Sequence, residues 1–115
     1  MSQIVTLTFN PCIDKSASIS GLAPEKKLRC SPPSFGPGGG GINVSRALKN
    51  LGKASLAIYP SGGFSGKFLD DLMEQEGLQV RTAETVNHTR ENFIAFDTAT
   101  GLQYRFGMPD RKSVV

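Results

Sequence analysis

Four consecutive glycines, Gly38 to Gly41, stand immediately before an amphipathic pattern that begins with Asn43. Glycine has no β-carbon, so the N–H groups of such a run can approach a ligand closely. The N-terminus of a helix adds unpaired N–H groups that favour anions and polar groups. The run therefore predicts a loop that binds a small polar, phosphorylated molecule. Asn43 could bind a ligand hydroxyl or cap the helix.

A flexible linker is the alternative interpretation of the glycines, but they adjoin a helix and do not join two domains. Two nucleotide-binding motifs are matched only in part. The run fits the dinucleotide spacing, yet segment 31–34 is a poor strand and no acid follows about 20 residues later. Segment 62–68 resembles a P-loop, but it is one residue short and has Phe68 in place of Ser or Thr. We therefore expect neither nucleotide site.

Five other polar residues could bind a ligand, although each has an ordinary structural explanation. Asp14 follows the first predicted strand and could be a turn residue. Lys27 and Arg29 alternate as residues on one face of a strand would, and lysine is common on exposed edge strands. Arg90 and Asn92 alternate in the same way at the start of a predicted hairpin. Taken alone, none of these residues indicates a function.

The composition is that of an ordinary globular domain with a mild net charge of +3. The basic residues are scattered, so nothing requires a nucleic-acid partner. The single histidine, His88, and the two cysteines, Cys12 and Cys30, do not form a metal-binding pattern, and no metal site is expected. The start of the chain is unlike a leader and no long apolar span follows. These features favour reduced cysteines, a cytoplasmic location and no membrane partner.

The hydrophobic pattern predicts strands and helices in alternation along the first two thirds of the chain. The expected elements are a strand at 3–9, a helix from Val44 that ends at Gly52, a strand at 54–59, a helix from about Ser65 to Gly77 and a strand at 78–81. This order is typical of a parallel sheet with flanking helices. The third strand is expected to lie in the core.

A second group of strands is expected outside that alternation. Short strands are predicted near 15–19 and 26–30, followed by a proline- and glycine-rich loop at 31–41. Alternating residues between 92 and 106 predict a β-hairpin that turns at Thr100 and Gly101. A hairpin added to a parallel sheet suggests a lid or an extra sheet.

Several separate motifs along the chain match one known family. The matching residues are Thr6 to Asp14, Lys27 to Arg29, Gly38 to Leu48, Gly52, Gly62, Gly63, Gly66, Thr89 to Asn92 and Gln103 to Phe106. Together they resemble the PfkB branch of the ribokinase-like carbohydrate kinases, over nearly the whole chain up to Pro109. The sequence Asn-Pro-x-x-Asp at 10–14, followed by the glycine run and Asn43, is typical of the phosphosugar kinases in that branch.

The resemblance implies a fold and a domain assignment. The fold would be α/β, the amino-terminal part of a ribokinase-like fold with a parallel sheet, flanking helices and a small antiparallel β lid. Residues 1–115 would be the sugar-binding part of a kinase domain, with lid strands near 15–30 and 91–107. The carboxy-terminal ATP-binding part would be absent, as in a truncated product. In the family the lids of two subunits pack together, so a homodimer is implied.

The resemblance also implies roles for individual residues. The substrate-binding residues would be Asp14, Lys27, Arg29, Gly38, Gly39, Gly40, Gly41, Asn43, Arg90 and Asn92. Asp14 would hold sugar hydroxyls, and the glycine run with Asn43 would surround the sugar. Lys27, Arg90 and Asn92 would hold phosphate groups, with Lys27 as an auxiliary catalytic residue near the transferred group. Arg29 would reach a neighbouring subunit.

The implied reaction transfers the γ-phosphoryl group of Mg·ATP to fructose 6-phosphate, giving fructose 1,6-bisphosphate. 1-Phosphofructokinase and tagatose-6-phosphate kinase activities are alternatives. The family's Gly-Ala-Gly-Asp motif, which carries the catalytic base and the anion hole, does not occur in this sequence. We therefore expect neither turnover nor ATP binding by this chain alone. An alternative of another class is a non-catalytic fragment that dimerises through its lid.

Overall fold

The computed structural model describes residues 3–109, which form seven strands and two helices. In chain order these are β1 (Val5–Leu7), β2 (Cys12–Ile19), β3 (Ser34–Gly38), α1 (Gly40–Asn50), β4 (Leu56–Ser61), α2 (Gly63–Gln75), β5 (Gln79–Glu84), β6 (Arg90–Asp97) and β7 (Leu102–Phe106). Neither helix in this part of the chain is long and apolar enough to span a bilayer.

Three strands form the predicted parallel sheet, in the order β1-β4-β5. Both strand pairs are parallel, and α1 and α2 are the crossovers between them. The central strand, β4, buries Ala57 and Tyr59 against Ile42 of α1 and Leu69 of α2. Ile13 of β2 completes the same core, so the two sheets share one apolar interior. The prediction of a parallel sheet with flanking helices is confirmed.

The third strand of this sheet differs from its prediction. All six residues of β5 are exposed, although a core strand was expected. The reason is its place in the sheet, since β5 is an edge strand with β4 on one side only. The apolar residue that does reach the core is Leu78, just before the strand begins.

The four remaining strands form a second sheet, which we call the lid sheet, in the order β3-β2-β6-β7. The hairpin β6–β7 is antiparallel, as predicted, and so is the pair β2–β3. These two antiparallel pairs are joined by a parallel pair, β2–β6, in which each of the eight residues of β2 has a partner in β6. The lid sheet is therefore mixed, and only its outer pairs are antiparallel.

The predicted strand at 26–30 is wrong, because only Cys30 in that range forms a β-bridge, with Ile19. The antiparallel partner of β2 is β3, which lies within the segment predicted to be a loop. Proline has no N–H to donate, so Pro37 disfavours a strand in this segment. Strand β3 is an edge strand, however, and an edge position tolerates proline.

Candidate functional site

The parallel pair β2–β6 brings four polar side chains together. Cys12 lies opposite Arg90, and Asp14 lies opposite Asn92. Alternate residues of a strand share one face, so all four lie on the same side of the lid sheet. We call these four residues the polar face. Cys12 and Arg90 are far apart in sequence but are neighbours in the sheet, and so are Asp14 and Asn92.

Strand β3 adds Gly38 to the polar face, opposite Cys12. A β-carbon at Gly38 would lie 2.6 Å from Oδ2 of Asp14 and 2.7 Å from Sγ of Cys12. In real structures a β-carbon essentially never lies closer than 3.0 Å to such an atom. Gly38 is therefore required by the space that the two neighbouring side chains occupy. Its main-chain flexibility is not the reason.

The thiol of Cys12 is buried and lies 3.5 Å from Oδ1 of Asp14, to which it donates. Burial, reinforced by the negative charge of Asp14, raises the pKa of this thiol to about 11. The group is therefore protonated at neutral pH and acts as a weak hydrogen-bond donor. Sequence reasoning missed Cys12. The signal that could have found it is the i, i+2 spacing to Asp14 in a strand.

Arg90 and Asn92 tie the polar face to the segment that follows β7. The Arg90 guanidinium donates to the carbonyl oxygens of Met108 and Asn10, at 3.2 and 3.3 Å. The side-chain oxygen of Asn92 accepts a hydrogen bond of 2.9 Å from the N–H of Met108. These bonds hold the Asn92 amide on the residue opposite Asp14 and the Arg90 cation on the residue opposite Cys12.

The glycine run turns the chain from β3 into α1. Gly39 has a φ of 129°, a left-handed value that favours glycine, and the helix begins at Gly40. A β-carbon at Gly41 would lie 2.5 Å from the carbonyl oxygen of Leu7 and 2.6 Å from Oγ1 of Thr8. The run therefore lets the start of α1 approach the end of β1 closely.

The cap of α1 comes from outside the helix. The hydroxyl of Thr8 accepts a hydrogen bond of 2.9 Å from the N–H of Ile42, and both residues are buried. The helix has no side-chain cap from its own N-cap residue. Asn43 is exposed in the first turns of the helix, so its amide faces solvent near the glycine run. Thr8 is a second residue that the sequence reasoning missed.

Lys27 and Arg29 lie in the connection between β2 and β3, outside any strand, and both are exposed. Within residues 3–109 no hydrogen bond or ion pair joins their side chains to the polar face. The expectation that they share one face of a strand is therefore wrong. The structure brings together Asp14, Gly38, Arg90 and Asn92 beside the glycine run, and it leaves the two loop cations apart from them.

The site combines groups that suit a polar, anionic ligand. A carboxylate can accept hydrogen bonds from hydroxyls, and an amide, a guanidinium and a helix N-terminus can donate to oxygen atoms. Among the described residues, no three His, Cys, Asp or Glu side chains are grouped so as to hold a metal ion.

Comparison with known proteins gives one family. The model of the pfkB family of carbohydrate kinases matches residues 4–112. The ATP-dependent 6-phosphofructokinase isozyme 2 of Escherichia coli K12 is 46% identical over 109 residues, which is 95% of this chain and 35% of that protein. The 1-phosphofructokinase of Bacillus subtilis is 36% identical over 89 residues, covering 77% of this chain and 29% of that protein.

A solved structure has the same fold. The crystal structure of phosphofructokinase-2 from Escherichia coli in complex with fructose-6-phosphate superposes with a TM-score of 0.90 at 45% identity. The match covers 96% of this chain and 36% of that one. The chain thus spans about a third of the length of the relatives that it matches. From the family match and these likenesses, the chain belongs to the pfkB family of carbohydrate kinases.

Proposed function

We propose that this chain is the sugar-phosphate-binding part of an ATP-dependent 6-phosphofructokinase. The observation that carries the proposal is the register of β2 and β6, which sets the Asp14 carboxylate beside Asn92 and two residues from Arg90. The glycine run and the start of α1 lie next to this group through Gly38. A hydroxyl-binding carboxylate and a phosphate-binding guanidinium are thus within reach of one small ligand.

Each predicted residue has a role in this proposal. Asp14 accepts hydrogen bonds from sugar hydroxyls, and the N–H groups of Gly39 to Gly41 with the amide of Asn43 surround the sugar. Arg90 and Asn92 hold the phosphate group. Lys27 and Arg29 approach the ligand from the connection between β2 and β3, Lys27 near the transferred group and Arg29 toward a neighbouring subunit. The part of this connection that carries them must move toward the polar face, while its two ends stay attached, for these two residues to contribute.

By the family resemblance, the chemical step would depend on the Gly-Ala-Gly-Asp motif, which does not occur in these 115 residues. In the family reaction, Mg·ATP would supply the phosphoryl group, and the aspartate of the Gly-Ala-Gly-Asp motif would take the proton of the attacking hydroxyl. The contribution of this chain is to orient the sugar phosphate and to surround it with donors, which phosphoryl transfer needs more than covalent chemistry. We expect a cytoplasmic protein that binds substrate and, alone, does not turn it over.

Calorimetric titration of the chain with fructose 6-phosphate tests the proposal. Binding should be measurable, and Asp14→Ala should weaken it by about tenfold to a hundredfold, since hydrogen bonds to a charged group are lost. Asp71→Ala removes an exposed aspartate of α2 and is the matched control. No binding, or equal binding by the two variants, would contradict the proposal.

The same titration separates the alternative substrates. 1-Phosphofructokinase and tagatose-6-phosphate kinase activities require fructose 1-phosphate or tagatose 6-phosphate to bind more tightly than fructose 6-phosphate. The position of the phosphate relative to Arg90 distinguishes the two fructose phosphates. The stereochemistry of one hydroxyl distinguishes fructose from tagatose. If one of these sugar phosphates bound more tightly than fructose 6-phosphate, it would become the proposed substrate, and the assignment of the binding site would stand.

A second role, dimerisation through the lid sheet, is favoured by its exposed apolar residues. Phe96, Leu102, Tyr104 and Phe106 are each between 39% and 56% exposed. Sedimentation of the chain should show a homodimer that Tyr104→Ser weakens, while Leu51→Ser, at the exposed end of α1, should not. A monomer at all concentrations would remove this role and would leave sugar-phosphate binding untouched.

A further inference from the structure

Asp97, the last residue of β6, carries a buried carboxylate that is only 3% exposed. It accepts hydrogen bonds from three backbone N–H groups, those of Gly21 at 3.1 Å, Leu22 at 3.2 Å and Ala99 at 2.9 Å. The bond from Ala99 is an ordinary local turn contact. The other two cross 76 and 75 residues of sequence, so a turn does not explain them.

The two long-range bonds attach the start of the connection between β2 and β3, residues 20–33, which we call the β2–β3 loop. The far end of this loop is attached separately, because the N–H of Ser31 donates to the Ser18 carbonyl at 2.9 Å. The N–H of Ser18 in turn donates to Oγ of Ser31, also at 2.9 Å. Lys27 and Arg29 lie between the two attachments.

The charge of Asp97 makes its attachment the stronger kind. A carboxylate that accepts backbone N–H bonds forms stronger hydrogen bonds than a neutral acceptor does. The N–H of Leu22, followed by those of Ala99 and Gly21, holds the pKa of Asp97 below its ordinary value, in spite of its burial. The carboxylate is therefore ionised at neutral pH. No other side chain in the described residues accepts from Gly21 or Leu22.

We propose that Asp97 is a positioning residue, which fixes the start of the β2–β3 loop and thereby sets where Lys27 and Arg29 stand relative to the polar face. The part of this inference that concerns the ligand rests on the proposed function. Without the two bonds the loop would be held only at its base, where Ser18 and Ile19 pair with Ser31 and Cys30. Its cations would then sample many positions, and a sugar phosphate would have to order them at an entropic cost on binding.

The loop itself supplies a direct readout, since Lys26, Lys27 and Arg29 are exposed trypsin sites. Limited proteolysis should cleave Asp97→Ala in the loop about tenfold faster than the unaltered chain, because local opening is easier. Cleavage after Lys53, in the exposed connection between α1 and β4, is the internal reference and should not change. Glu84→Ala, at the exposed end of β5, is the control variant.

Asp97→Asn keeps the side-chain volume and removes the charge, and it decides the test if Asp97→Ala does not fold. It should raise loop cleavage by about threefold or more relative to Lys53, since a neutral acceptor replaces a charged one. Equal cleavage of the loop in the folded variant and in the unaltered chain would overturn the inference.

A double-mutant cycle with Lys27→Met tests whether Asp97 acts on the ligand through the loop cations. If it does, Lys27→Met should weaken fructose 6-phosphate binding by about tenfold in the unaltered chain and by less than about threefold in the Asp97→Asn background. General destabilisation would leave the two factors equal, and that result would overturn the positioning role. If the unaltered chain does not bind the ligand, the proposed function fails, and the proteolysis alone decides whether Asp97 fixes the loop.

Discussion

The carboxylate of Asp14 fills the space that a side chain at Gly38 would need, with Oδ2 only 2.6 Å from where a β-carbon would lie. Gly38→Ala must therefore displace the carboxylate or the strand, at a cost of about 1–3 kcal/mol in the free energy of unfolding. We also expect about tenfold or greater loss of fructose 6-phosphate affinity. Calorimetry and thermal unfolding measure the two effects.

The control for that prediction is in the same strand. A β-carbon at Gly36 meets no atom within 4 Å, and its backbone is not left-handed. Gly36→Ala should leave affinity unchanged. If the two variants behaved alike, the requirement for glycine at Gly38 would come from the strand and not from Asp14.

Thr8→Ala should destabilise the chain by about 1 kcal/mol, because the N–H of Ile42 then loses its only side-chain cap. Thr8→Ser removes the same methyl group and keeps the hydroxyl. The difference between the two variants in urea unfolding therefore isolates the cap. Equal destabilisation would mean that the methyl packing of Thr8, and not its hydrogen bond, holds the start of α1.

The two cysteines should react at very different rates with iodoacetamide at mildly alkaline pH. Cys30 is exposed, whereas Cys12 is buried with its pKa raised to about 11, so little reactive thiolate forms. Peptide mapping should find Cys30 alkylated first by at least about a hundredfold, the thiolate fraction and burial both acting. In urea both should react alike. Fast labelling of Cys12 in the folded chain would contradict its burial beneath Asp14.

The stability of the fold should fall in acid in a way that depends on Asp97. Its pKa is lowered from the ordinary 3.8, chiefly by the N–H of Leu22, so the unfolded chain takes up the proton first as the pH drops. The stabilising contribution is complete above 3.8 and is lost as the pH falls through the lower folded value. Urea unfolding between about pH 6 and pH 3 should therefore show a weaker acid dependence in Asp97→Asn. Parallel curves for the two proteins would contradict this assignment.

The parallel sheet could be predicted from sequence because its signals are local. The hydrophobic periodicity of α1, α2 and β4 lies within each element. The left-handed glycines Gly52 and Gly77 follow just after the ends of the two helices. Strand β3 could not be predicted from sequence, because a segment with Pro37 and two glycines has a poor local preference for a strand. It is a strand because it pairs with β2, and that pairing depends on the rest of the fold.

Some residues of the candidate site could be predicted from sequence, and others could not. Asp14, Gly38, Arg90 and Asn92 could be named from the family motifs, and the structure brings them together. The thiol of Cys12 was missed although its partner Asp14 is only two residues away. The hydroxyl of Thr8 could not be named, because its partner, the N–H of Ile42, lies 34 residues along the chain. For Lys27 and Arg29 the alternation of two residues was too short a pattern to show a strand.

The parallel pairing of β2 with β6 has a consequence for how the protein is made. Asp97 and Gly21 are 76 residues apart, and the whole of α1, β4, α2 and β5 lies between the paired strands. Contacts that close such a long loop form late in folding, after local ones. A chain emerging from the ribosome can complete its helices and parallel sheet while β6 is still unsynthesised. We therefore expect the polar face to assemble after the helices and the parallel sheet, and a nascent chain to remain unable to recognise its ligand until β6 has emerged.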